Sequence, residues 1–229
     1  MLKKVWLWLL WGGFVAYAFL FAPPDRPDTL QLIQNLSTGN VAGINPLIVA
    51  LFNIMGVLPL LYSCFLYLDG RGQKVPAWPF AIGSFAVGAF ALLPYLALRQ
   101  PNPTFLGTKN WWLKLTDSRW LGGLIAVGAI ALMLYGFQNG DWSNFVAQWQ
   151  TSRFIHVMSL DFCLLSLLFP VLLGDDMARR GLKDQRIFWA VTLLPLLGAL
   201  AYVSLRPPVQ ATASDHAQSL APNPSSPPL

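Results

Sequence analysis

The sequence predicts an all-α, polytopic membrane bundle, and three observations predict it. Hydrophobic residues make up 55% of the 229 residues and charged residues only 11%, less than half the ~25% that clothes a soluble domain. Apolar residues gather in six blocks, each near the ~20 residues that a helix rising 1.5 Å per residue needs to cross ~30 Å of hydrocarbon. None of the blocks alternates with period two, and an open sheet edge has no hydrogen-bond partners in lipid, so each block reads as a helix. With a mean hydropathy of +0.51, the composition excludes a cytosolic enzyme and a disordered regulator.

The first block, residues 5–22, follows Lys3 and Lys4 and resembles a signal peptide in outline. It is longer than a signal core and is crowded by Trp6, Trp8 and Trp11, so it reads as a retained helix. The connection DTLQLIQNL then starts at Asp28, a candidate N-cap, with apolar positions at helical spacing, and reads as an interfacial helix. The second and third blocks, 46–68 and 79–98, flank the charged loop LDGRGQKVPAW. Trp111, Trp112, Lys114 and Trp120 follow, a mixture suited to the headgroup layer. The fourth block, 120–137, leads into a second interfacial pattern, DWSNFVAQW from Asp141. The fifth and sixth blocks, 154–173 and 187–205, flank LGDDMARRGLKDQR. Past Leu205 the chain turns rich in Pro, Ser and Ala, so residues 206–229, His216 included, are expected to be disordered beyond a single transmembrane domain spanning residues 1–205.

The two halves, residues 1–100 and 115–205, share one order: helix, amphipathic connection, helix, charged loop, and a helix carrying LLPYLALRQP in the first and LLPLLGALAYVSLRPP in the second. Three crossings per unit would insert the second unit inverted relative to the first. Counted over six crossings, one side holds Lys3, Lys4, Arg71, Lys74, Arg153 and Arg206 and the other side the remaining basic residues. That bias is weak and leans toward placing the 179–186 loop in the cytoplasm. Basic residues scattered between apolar blocks suit lipid headgroups, and nucleic acid is not an expected partner.

Small residues such as Ser84 with Gly88, Gly122 with Ala126, and Gly198 near Ala201 let backbones approach. Pro59, Pro94, Pro170 and Pro195 lie within blocks and favour kinks. Cys64 and Cys163 differ in expected depth by ~8 Å, too far for a disulfide, and read as inert core residues. No CxxC, HExxH, P-loop, GxGxxG or GxSxG pattern occurs, so no metal or other cofactor is expected. The polar constellation is FIHVMSLDF, with His156 near the interface and Asp161 deeper. A carboxylate at the bilayer centre costs ~2.5–3.5 kcal/mol and therefore faces the interior, paired or neutral. Five residues apart, the two side chains point ~140° from each other, so they can border one cavity without touching.

The stretch TSRFIHVMSLDF, followed by RRGLKDQR and a helix with LLPLLG, resembles the C-terminal part of the plastid membrane family associated with neoxanthin synthesis, the abscisic-acid-deficient-four type. The resemblance covers roughly residues 120–205, and the whole chain resembles multi-pass membrane proteins of cyanobacteria and chloroplasts. It implies a thylakoid or plasma membrane, chlorophyll or carotenoid as a bound pigment, and a photosynthetic membrane complex as partner. Three functions follow as expectations. The first is a non-catalytic accessory or assembly protein of a photosynthetic membrane. The second is an isomerase rearranging a carotenoid or other isoprenoid, with Asp161 donating a proton and His156 accepting one. The third is a small-solute carrier, disfavoured by the scarcity of polar residues within the blocks.

Overall fold

The computed structural model describes residues 2–105 and 107–209, which are helical and contain no strand. The chain begins with α1 (Leu2–Leu20), the short α2 (Thr29–Thr38), and the central helix α3 (Pro46–Asp69). Asn45 caps α3 by accepting from the Leu47 N–H at 3.0 Å. It also donates to the Asp141 carbonyl at 2.7 Å, so the start of α3 lies beside the start of α8 (Trp142–Thr151). α7 (Arg119–Asn139) packs along α3, with Gly136 and Gly140 meeting Ala50 and Leu47. α9 (Arg153–Leu168) and α10 (Pro170–Arg179) continue one another, interrupted only at Phe169, just before Pro170. Three helical stretches are long and apolar enough to cross a membrane: α3, α7, and α9 with α10.

The third and sixth blocks behave differently from expectation: neither runs straight through. α4 (Trp78–Val87) and α5 (Ala89–Leu98) form a hairpin that turns at Gly88 and returns to the end it left. Phe80, early in α4, packs its ring 5.6 Å from that of Tyr95, late in α5. Gln73, before α4, exchanges two hydrogen bonds with the backbone of Gln100, after α5. α11 (Gln185–Leu193) and α12 (Leu197–Leu205) repeat the design, turning at 194–196. Gly198 there sits so close to Val191 that a Cβ would lie 2.4 Å from the Val191 carbonyl oxygen. Leu196 takes φ 64°, and the Leu197 N–H closes a three-residue turn on the Pro195 carbonyl at 2.8 Å.

This corrects the expectation of six separate crossings. Length and hydropathy are the same for a crossing helix and for two half-helices, and only the backbone reversals at Gly88 and Leu196 tell them apart. The expected inversion of the two halves is corrected with it. α3 and α9–α10 both end at one buried charge cluster, which holds Asp69 and Asp176, so they run in the same direction.

All charged side chains but a few gather at that end. Lys4 reaches the Leu98 carbonyl, Lys109 pairs with Asp117, and Arg119 reaches the Arg206 carbonyl. Every Lys and Arg except Arg26 and Arg153 lies at this charged end, where the count over six crossings gave only a weak bias. α6 (Trp111–Thr116) lies there as well, capped by the Asn110 side chain at 3.0 Å.

At the opposite, far end, Asp141 caps α8 through the Asn144 N–H, whereas Asp28 makes no cap bond and pairs with Arg26 at 3.3 Å. The core lies around α3, where Tyr62, Phe65 and Leu66 are fully buried. Outward faces of α1 and α7 leave Leu9, Phe19, Trp120, Leu124 and Val127 exposed, an apolar belt larger than soluble monomers tolerate. Cys64 is buried as expected; Cys163 is exposed and is not a core residue. Disorder was expected from residue 206, but the packed chain continues further. Arg206 is buried against Asp176, and Val209 is buried with its N–H on Asp117 at 3.2 Å. Residues 210–229, with His216, lie outside the described residues.

Candidate functional site: a cavity at the tip of the first hairpin

Asp161 lies on α9 at the level where the first hairpin turns. Its Oδ1 accepts from the Ala89 N–H at 2.7 Å, the first residue of α5. That N–H has no intrahelical partner, and the positive end of the helix favours a carboxylate there. Gly88 makes the approach feasible. At φ 51° and ψ −125° it holds a backbone that L-residues avoid, and a Cβ on it would lie 1.8 Å from Asp161 Oδ2. The reversal thus depends on glycine twice, and the irregular backbone is covered by protein, as an apolar surrounding demands.

From this point a cavity of about 680 Å³ extends toward the far end, between α1, α2, α3, the hairpin tip and α9. Its walls are mostly apolar and partly aromatic, with Phe19, Phe52, Phe85, Phe90 and Phe154 among them. Asp161 and Ser84 line its inner end, and Asp25, Thr29 and Arg153 lie toward the far end. Arg153 is anchored there by the Pro23 carbonyl at 3.0 Å and Asp25 at 2.9 Å. No described residue donates to Asp161 Oδ2. Ser84 Oγ spends its proton on the Ala81 carbonyl at 2.7 Å and keeps lone pairs free.

His156 is held elsewhere. Its Nδ1 lies 3.0 Å from the Trp149 carbonyl and its Nε2 2.8 Å from the Tyr17 hydroxyl. A carbonyl can only accept, so Nδ1 carries the proton and Nε2 accepts from Tyr17. Trp149 stacks on the imidazole with ring centroids 4.3 Å apart, and Tyr17 lies on it at 5.8 Å. His156 therefore joins α1, α8 and α9, and it is not part of the cavity wall, so it and Asp161 do not border one ligand.

A second polar constellation lies at the charged end. Asp69 accepts from the Tyr95 hydroxyl at 2.7 Å and from Arg99 Nε at 2.7 Å; Arg99 also pairs with Asp175. Asp176 accepts from Tyr202 at 2.9 Å, Arg206 at 3.3 Å and Arg180 at 2.7 Å. Arg179 stands between the two carboxylates, 3.4 Å from Asp69 and 3.6 Å from Asp176. Arg180 extends the chain to Asp117 at 2.6 Å. Arg99 lies beyond the end of α5, and though burial opposes its charge, the bonds to Asp69 and Asp175 hold its proton more firmly than usual. With so many charges matched inside the protein, this cluster is a structural tie.

The sequence singled out Asp161 and His156 as chemistry and Ser84 with Gly88 only as packing residues, and gave no notice of Arg153 or of the Asp69 and Asp176 clusters. A signal existed for the clusters: Tyr-x-x-x-Arg-x-Pro occurs at Tyr95 and again at Tyr202. No group of three His, Cys, Asp or Glu gathers among the described residues; of the carboxylates lining the cavity, Asp161 lies at the inner end and Asp25 is paired with Arg153 toward the far end. Compared with protein-family models, with curated proteins and with solved structures, the chain matches none.

Proposed function

We propose that this chain is a non-catalytic multi-pass membrane protein that holds an amphipathic, largely apolar ligand in the cavity at the first hairpin tip. The carrying observation is the cavity itself: an apolar, aromatic-lined space of about 680 Å³ with one carboxylate at its inner end. Volume and lining are those of a small-molecule site, in which few polar groups orient a mainly hydrophobic guest. In this reading α1, with 19 residues, joins α3, α7 and α9–α10 as a fourth crossing, and the four carry two re-entrant hairpins, α4–α5 and α11–α12. The two halves are duplicated in parallel, each made of two crossings and one hairpin. Identical spacings support the duplication: 26 residues from aspartate to tyrosine and 30 from aspartate to arginine in both clusters.

Because every Lys and Arg but Arg26 and Arg153 lies at the charged end, that end faces the cytoplasm or stroma, and the cavity extends toward the opposite side. Resemblance to the neoxanthin-associated family adds a photosynthetic membrane as the setting and a pigment or isoprenoid as the guest. Purification in mild detergent from the native membrane, followed by extraction and mass spectrometry, tests the reading. A defined apolar compound at near-stoichiometric yield, lost from Asp161→Leu, is the expected result. Bulk lipid alone in both samples would overturn it.

The enzyme reading has one observation in its favour, a carboxylate with an unpartnered oxygen facing a ligand-sized space. Conversion of the co-purified compound by wild type and its loss in Asp161→Asn would replace binding by catalysis.

A further inference from the structure

The inner end of the cavity is one-sided in its hydrogen bonding, and this deepens the binding reading on which it rests. Asp161 Oδ1 is used by the Ala89 N–H, while Oδ2 has no donor among the described residues. Ser84 Oγ, on the facing half-helix, has given its proton to the Ala81 carbonyl, so toward the cavity it can only accept. Both residues are almost completely buried, and the other side chains at this depth, Met55, Phe85, Phe90, Val157 and Met158, are apolar. Two acceptors and no free side-chain donor therefore face the guest.

We infer that the cavity selects a ligand whose buried polar end is a hydrogen-bond donor, a hydroxyl on a long hydrocarbon body, and rejects the same body ending in an ether or a carboxylate. A hydroxyl donates its one proton to Asp161 Oδ2, the carboxylate oxygen left without a donor, with Ser84 Oγ as the alternative acceptor beside it. An ether brings another acceptor against Asp161 and leaves it unpaired, which is the costly outcome in an apolar surrounding. Against the ionised form of Asp161, which the positive start of α5 favours, a carboxylate brings a second negative charge, while Arg153 is held toward the far end by Asp25 and Pro23. The asymmetry has the same origin as sharp discrimination in enzymes: a site built to pair a hydroxyl is left with unpaired groups by the analogue that lacks it.

The test uses the full chain in lipid nanodiscs and measures radiolabelled dodecanol retained above protein-free nanodiscs, in competition with unlabelled dodecanol, its methyl ether and dodecanoic acid. Dodecanol is expected to compete at least about tenfold more strongly than the ether, the effect of one hydrogen bond to a charged acceptor. Dodecanoic acid is expected to compete least. Asp161→Leu is expected to lower retention of dodecanol to that of its ether, and Ser84→Ala to have the smaller effect. Equal competition by alcohol and ether in the wild type would overturn the donor rule while leaving the cavity a binding site. No retention of dodecanol above protein-free nanodiscs, with the protein intact by size-exclusion chromatography, would overturn both the rule and the binding reading.

Discussion

Tyr95 and Tyr202 each donate a hydroxyl to a correspondingly placed aspartate, Asp69 at 2.7 Å and Asp176 at 2.9 Å, and each aspartate lies 26 residues before its tyrosine. One helical turn after each tyrosine comes an arginine, Arg99 or Arg206, bound to the same carboxylate. The effect is mechanical. Each hairpin leaves the charged end, turns at mid-depth, and is tied by its last turn to the helix that preceded it. Arg179, between the two carboxylates, links one tie to the other.

Removing one tie should therefore destabilise the whole bundle. Asp176→Leu leaves Arg206 and Arg180 buried without their shared carboxylate and should cost about 3–5 kcal/mol, the range for orphaning a buried charge. Tyr202→Phe removes one hydroxyl from a carboxylate that keeps its arginines and should cost about 1.5–3 kcal/mol. Thermal unfolding in detergent, read by tryptophan fluorescence, would check the order; equal losses in both variants would contradict it.

The hairpins make a sharp statement about sidedness. Single cysteines at Gln73 and Gln100, in a background lacking Cys64 and Cys163, should both react with a membrane-impermeant maleimide from the same side. Six straight crossings would place them on opposite sides, so opposite labelling would refute the fold-back.

Much of the architecture was legible because hydropathy reports depth. Helical class, the blocks, the amphipathic α2 and α8, and the cap at Asp141 all follow from local pattern. Hydropathy is silent about direction, and so 79–98 and 187–205 read as crossings when each is two half-helices. The turn at Gly88 was hidden because glycine in a membrane helix usually means close packing, as at Gly122, which meets Val203. Asp161 was legible because a deep carboxylate is costly wherever it points. Its partner was not, since a backbone N–H freed by a helix break has no signature in side-chain pattern. His156 misled for the opposite reason: five residues from Asp161, it turns to Tyr17 and Trp149 instead of the cavity.

Gly88 should tolerate no side chain. Gly88→Ala meets Asp161 Oδ2 and also forces an L-residue into an avoided conformation, which alone costs about 1–3 kcal/mol. Adding Asp161→Ala removes the collision and leaves the backbone cost, so the double variant should recover only part of the lost thermal stability. Full recovery would show that the collision was the whole effect and that the turn is not strained for alanine.

Replacing His156 tests whether it belongs to the site. His156→Gln can keep one bond of the two, and His156→Ala keeps neither and also loses the stacking on Trp149. Stability should fall in the order wild type, Gln, Ala, while the amount of bound ligand per folded protein stays unchanged. A loss of ligand from a folded His156→Gln protein would tie the imidazole to the binding chemistry after all.

Asp161 has two duties, and substitution can separate them. Toward the hairpin, Oδ1 satisfies the Ala89 N–H at the start of α5; toward the cavity, Oδ2 faces the ligand. From composition alone, Asp161→Leu would be expected to leave accumulation near normal, because deleting a deep carboxylate relieves its desolvation. The bond to Ala89 alters that expectation, since a buried N–H left without a partner costs about 1–3 kcal/mol. Leucine must also place branched carbon over Gly88, on the side where Oδ2 now fills the space a Cβ would take. Asp161→Leu should thus lose both ligand and some thermal stability. Asp161→Asn keeps an acceptor for Ala89 through its carbonyl, so its stability should stay near wild type. Its amide then presents a donor to the cavity in place of Oδ2, and ligand retention should drop although the protein is sound. Measuring unfolding temperature and bound ligand on the same Asp161→Asn preparation decides the matter: an unstable Asn variant would mean that the carboxylate charge, beyond one hydrogen bond, holds the start of α5.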